Sequence, residues 1–180
     1  MMTKSVKERR VSVKTLALTA MFAALVTVST AFIKVPAPLG YAHAGDAIVY
    51  LAACLLPPPF GFFAAGIGGA TADLLSGYAV FALPTAIIKS LNVLPFFLAR
   101  IFLKKKQKDD KILSLILIPA LILTSFITVG GYFIVNTILF NEAYAITETP
   151  FNVMQAIVCA VLFTALGAAL DSVKLKKKLI

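Results

Sequence analysis

Tryptophan is absent from this 180-residue chain, cysteine occurs twice and histidine once, and eight acidic residues face 17 lysines and arginines. Each scarcity removes a class of protein. Cys54 and Cys159 each lie inside an apolar run, which argues against a disulfide framework or a thiolate metal site. His43 has no second His or Cys at ligand spacing, so no metal centre is expected. There is no H-E-x-x-H and no G-x-S-x-G, and the glycine-rich GIGGATAD lacks the Lys-Ser/Thr of a phosphate loop. No catalytic residue is assigned, and nucleotide binding by this chain is not expected. Without Trp, any interfacial aromatic belt rests on the five Tyr residues.

What the chain does have is apolar surface. It is 60% hydrophobic with a mean hydropathy of +0.94, more than one soluble core of this size could hide. A spanning helix takes about 20 mostly apolar residues, and the runs predict an all-α integral membrane bundle of about six transmembrane helices. It forms a single domain over 1–180, with a basic segment at 1–12 and a basic tail at 171–180. The net charge of +9 sits in short flanks beside apolar runs, the pattern of membrane topology rather than of nucleic-acid binding. With six spans the N-terminal cluster, the Arg100–Lys111 connection and the tail share one side, which puts both termini in the cytoplasm of a cell membrane. The basic start before the run from Val13 to Ile33 superficially resembles a signal peptide, but the run is too long for one and reads as the first span.

Small residues Ala17, Ala20, Ala24, Thr27 and Ala31 mark one face of that first helix, open either to packing within the bundle or to docking on another subunit. Residues 34–45, KVPAPLGYAHAG, hold two prolines and two glycines and predict an outer loop. Its Tyr41 and His43 are candidate ligand contacts, although a solvated loop position is the default for His43. A second helix over 46–56 is short for a crossing, and Asp46 at its start reads first as an N-cap. A third, over 60–75, ends at Asp73, either a site carboxylate or an interfacial one. The fourth, over 80–103, carries Lys89 well inside, where a charge costs on the order of 2.5 kcal/mol or more unless it pairs or meets a wet cavity. A cavity-lining role and a pair with Asp73 or Asp46 are both open. Asn92 shares its face. Tyr132 and Asn136 on a fifth helix over 112–139, and Asn152 and Gln155 on a sixth over 151–170, fall at the same outer depth, which favours one polar pocket over isolated interhelical glue. Residues 141–150 read as an acidic outer loop.

Ala20-Met-Phe-Ala-Ala24, Gly45-Asp46, Ala72-Asp73-Leu74 with Gly77-Tyr78, and Ile88-Lys89 together resemble the substrate-binding S components of energy-coupling-factor vitamin transporters, in the riboflavin-transporter-like group. The resemblance implies that Ala20 and Ala24, with Ala17 on the same face, dock on a transmembrane coupling subunit. Two cytosolic ATPase subunits would hydrolyse ATP, so this chain needs no cofactor of its own. It also implies a small vitamin held in the outer half under the first loop. Ser90 and Val93 stand where the family often has glycine. The modest polar set suits a pyridoxine or hydroxymethylpyrimidine ring better than riboflavin. A stand-alone secondary transporter or channel using Asp46, Asp73 and Lys89 as a relay is the rival class.

Overall fold

The computed structural model describes residues 12–37, 40–105 and 111–179. Helix α1 (Val13–Ala31) leads into a two-stranded antiparallel hairpin, β1 (Lys34–Pro36) and β2 (Tyr41–His43), followed by α2 (Gly45–Leu55), α3 (Pro58–Leu75), α4 (Ala82–Lys105), α5 (Ile118–Leu139), α6 (Glu142–Ser172) and a short α7 (Leu175–Leu179). Among the described residues, four stretches are long and apolar enough to cross a bilayer: Val13–Ala31, Ala79–Lys105, Leu115–Leu139 and Glu142–Ser172. Their outward faces carry exposed Leu83, Phe126, Ile138 and Val161, side chains that lipid, not water, would cover. The protein is a multi-pass helical membrane protein. Six spans are not all met by length and composition. At 11 residues, α2 reaches only about 16 Å, and α3 is diluted by glycines, prolines and Asp73.

The reason α2 is short is that extended chain replaces it. The 34–45 segment, expected as an irregular loop, folds as the hairpin, with Lys34 opposite His43 and Pro36 opposite Tyr41. Its second strand enters the bundle far enough to bury Ala42 and His43. Gly45 makes the close approach possible, because a Cβ there would fall 1.9 Å from the Thr30 hydroxyl of α1. The sixth helix also departs from expectation. The 141–150 segment is its first turns, not an acidic loop: the Asn141 side chain accepts from the Tyr144 amide, Glu142 occupies the favourable first turn, and the helix runs on through Pro150. Conversely, α5 starts late, after a 3₁₀ turn at Leu115–Leu117.

At the opposite end of the bundle from the hairpin, Lys14, Lys104, Lys105, Lys111, Lys174 and Lys176 to Lys178 gather near the ends of α1, α4, α6 and α7. Lys14 donates to the Leu179 carbonyl and Lys176 to that of Lys111. Asp171 accepts from the Ile112 and Leu113 amides at 2.7 and 2.9 Å. The expected basic residues at 4–10, and Lys106 and Lys108, lie outside the described residues. Arg100 closes the inner end of α2 by donating to the carbonyls of Ala53 and Leu56.

One polar contact fixes how these helices meet. Asp46 is not an N-cap, a position held by Ala44. Its carboxylate forms an ion pair with Lys89 of α4, and neither side chain is exposed. Gln155 of α6 donates to the other Asp46 oxygen at 2.8 Å. Gly69 of α3 leaves room for the lysine stem, since a Cβ there would sit 2.9 Å from Lys89 Cγ. A buried pair of this kind is costly to break from one side. Lys89→Met should therefore lower the thermal midpoint of the purified protein sharply, a loss on the order of 3–5 kcal/mol. Asp46→Asn combined with Lys89→Met should restore much of it. A double variant no more stable than the single one would show that the pair is not what joins α2 to α4.

Candidate functional site

Beneath the hairpin lies a cavity with about 470 Å³ of empty space, its open mouth included, lined by Gly40, Tyr41, His43, Asp73, Tyr78, Phe81, Thr85, Tyr132, Asn136, Tyr144, Glu148, Asn152 and Gln155. Seven sequence candidates meet there: Tyr41, His43, Asp73, Tyr132, Asn136, Asn152 and Gln155. Three do not. Lys89 and Asp46 form the ion pair one layer below, so Lys89 does not line the cavity. Asn92 is fully buried and donates to Thr128 of α5 at 2.8 Å, a helix-to-helix contact.

The floor is a connected network. His43 lies 3.1 Å through Nε2 from Lys89 Nζ, and its Nδ1 faces the Gly45 amide at 3.1 Å. A neutral imidazole has one bare nitrogen and can accept from only one of these donors, the ammonium being the stronger. The His43 amide donates to Gln155 Oε1 at 3.1 Å, and its carbonyl accepts from Cys159 Sγ at 3.2 Å. Side chains of α6 thus take the place of the sheet partner that β2 lacks on this edge, the condition under which non-helical backbone survives inside a membrane protein. His43, expected as a solvated loop residue, is an internal strut.

The walls are aromatic. Tyr41 and Tyr78 rings stand 5.0 Å apart, Tyr78 and Phe81 6.5 Å, Phe81 and Phe140 5.8 Å, and Phe140 stacks on Tyr144 at 4.3 Å. On α5 the Tyr132 hydroxyl pairs with Thr85 at 3.0 Å. The hairpin is held at the rim by the Tyr41 hydroxyl, which donates to Asp73 Oδ1 at 2.6 Å, and by Lys34, which donates to Ser76 and lies 4.5 Å above the Tyr41 ring. The phenol must be the donor here, since the carboxylate it faces can only accept.

Sequence reasoning passed over Phe81, Thr85, Tyr144 and Glu148 as site residues. Tyr144, Glu148 and Asn152 recur every four residues and so share a face, a signal masked by taking Pro150 as a helix boundary. Thr85 is one turn before Lys89. The Ala17, Ala20 and Ala24 side chains point out of the bundle and are exposed. The stripe does not stay outside along its whole length: Thr27 donates to the Gly68 carbonyl of α3, where a Cβ on Gly68 would meet Ala23 and Val26, and Ala31 is buried. No group of three His, Cys, Asp or Glu side chains that could hold a metal occurs among the described residues.

Two comparisons bear on this architecture. The family described as "ECF-type riboflavin transporter, S component" matches residues 10–172. The Pyrococcus woesei "uncharacterized protein in gap 3' region" is 31% identical over 144 residues, which cover 79% of this chain and 91% of that protein. A membrane bundle with a covered polar cavity at one end, matched over nearly its whole length, belongs to the S component family of ECF-type riboflavin transporters.

Proposed function

We propose that this chain captures a small heteroaromatic vitamin or precursor, of the pyridoxine or hydroxymethylpyrimidine class, from outside the cell and surrenders it to an ATP-driven import complex. The observation that carries the reading is the cavity itself: polar, ringed by aromatic side chains, roofed by the hairpin, and at the end of the bundle opposite the lysines. Under the positive-inside rule that placement supports an extracellular hairpin, cytoplasmic termini and six crossings by α1 to α6, with α2 and the hairpin completing one between them. Tyr41, His43, Asp73, Tyr132, Asn136, Asn152 and Gln155 would contact the ligand, while Asp46, Lys89 and Asn92 would hold the floor. The family's description names riboflavin, which makes a flavin the second reading. Mass spectrometry of the small molecule that co-purifies with the protein separates the two.

The partners in this reading are a transmembrane coupling subunit and two cytosolic ATPase subunits, which hydrolyse the ATP. The outward Ala17, Ala20 and Ala24 face supports docking, because small side chains let a second helix approach closely. Ala20→Leu or Ala24→Leu should leave ligand affinity unchanged in calorimetry. Uptake with partners present should fall more than about tenfold, the effect of about 1.4 kcal/mol of lost docking free energy. Complexes that still form with these variants would argue against that face. Transport by the chain alone in vesicles would favour a stand-alone carrier instead.

A further inference from the structure

The cavity has an electrical sign. Two of its lining residues are carboxylates, Asp73 and Glu148, 5% and 6% exposed, and no Lys or Arg lines it among the described residues. Two described cations close to its lining are engaged elsewhere: Lys89 with Asp46, and Lys34 with Ser76 and the Tyr41 face. Asp73 spends only Oδ1 on the hairpin. Its Oδ2 is buried with no hydrogen-bond partner, as is Oδ1 of Asn136, itself 4% exposed, across the same cavity. Leaving such acceptors unmatched is expensive, and a group with hydrogens to give would repay it. The arc of Tyr41, Tyr78, Phe81 and Tyr144 offers π faces, which attract cations as well as rings. Two unmatched acceptors, two carboxylates and an aromatic arc describe one kind of guest.

We propose that the cavity selects a heteroaromatic ring bearing an amino or cationic group, and that Asp73 reads that group with Oδ2 while Oδ1 latches the hairpin through Tyr41. This rests on the capture reading above and narrows it: a neutral hydroxyl-bearing ring, or one that presents only acceptors, is the poorer guest. One carboxylate then serves recognition and closure together. A ligand hydrogen on Oδ2 sits beside the Tyr41 contact, so binding and shutting the roof draw on the same residue.

Isothermal titration of the full chain in detergent, with rings that differ in one group, tests this. Pyridoxamine is compared with pyridoxine, and 4-amino-5-hydroxymethyl-2-methylpyrimidine with its 4-hydroxy counterpart. The amino member of at least one pair should bind about tenfold or more tighter, the scale of a hydrogen bond to a charged group. Asp73→Asn should bring it down to its neutral partner. Tyr41→Phe should weaken both members while the preference survives, since the latch is lost but the charge remains. Equal or reversed preference overturns the proposal, as does a preference that Asp73→Asn leaves intact. The unmodified chain decides the point even if Asp73→Asn does not fold. A chain that ignores all four rings yet imports another vitamin with its partners overturns this inference and leaves capture standing. One that binds none and imports none removes both.

Discussion

The ion pair between Asp46 and Lys89 is the contact on which the rest of the molecule depends. Two charges with no exposure would ordinarily be a net expense, repaid only where geometry is good and the remaining valences are filled. Here they are filled by named groups: Gln155 on the second oxygen of Asp46 and His43 beside the ammonium. The pair therefore joins four elements, α2, α4, α6 and β2, at one level. It also explains why a strand can end inside a helical bundle. The backbone of His43 finds Gln155 and Cys159 at the level where the ion pair holds α6 against α2.

Much of this was legible in the sequence, and the remainder was hidden for physical reasons. Long apolar runs report the membrane helices directly, because lipid makes the same demand on every residue of a run. The depth of Lys89 was readable for the same reason. Its partner was not, since helical spacing states which face a residue occupies but not which distant face opposes it. Asp46 beside a helix start looks like a cap whether or not a lysine waits 43 positions away. Asn92 follows Lys89 by three residues and shares its buried side, yet it reaches Thr128 on α5 while Lys89 reaches α2. The hairpin was obscured by Pro36 and Gly40, which signal a turn without saying that short strands flank it.

Register gives the hairpin a role that an irregular loop could not fill. Side chains alternate along a strand, so Tyr41 and His43 fall on the same face and Ala42 on the other. Both line the cavity, one at its rim and one on its floor. Pairing of Pro36 with Tyr41 and Lys34 with His43 sets that alternation, and a slip of one residue would turn both rings away.

The two ends of β2 are held by contacts of different strength, and this decides where the roof can give. At the root, His43 is buried and tied through its backbone to α6 and through its ring to Lys89 of α4, so moving it would leave several groups without partners at once. At the rim the contacts are the Tyr41 hydroxyl on Asp73 and the exposed Lys34 on Ser76. Both donors can turn to water without stranding a buried backbone group, and an exposed contact of the second kind is worth little. A hairpin anchored at its inner end and fastened at its outer one by these two contacts would give first on the side of Tyr41. The carboxylate that such an opening would free is Asp73, whose second oxygen is buried without a hydrogen-bond partner.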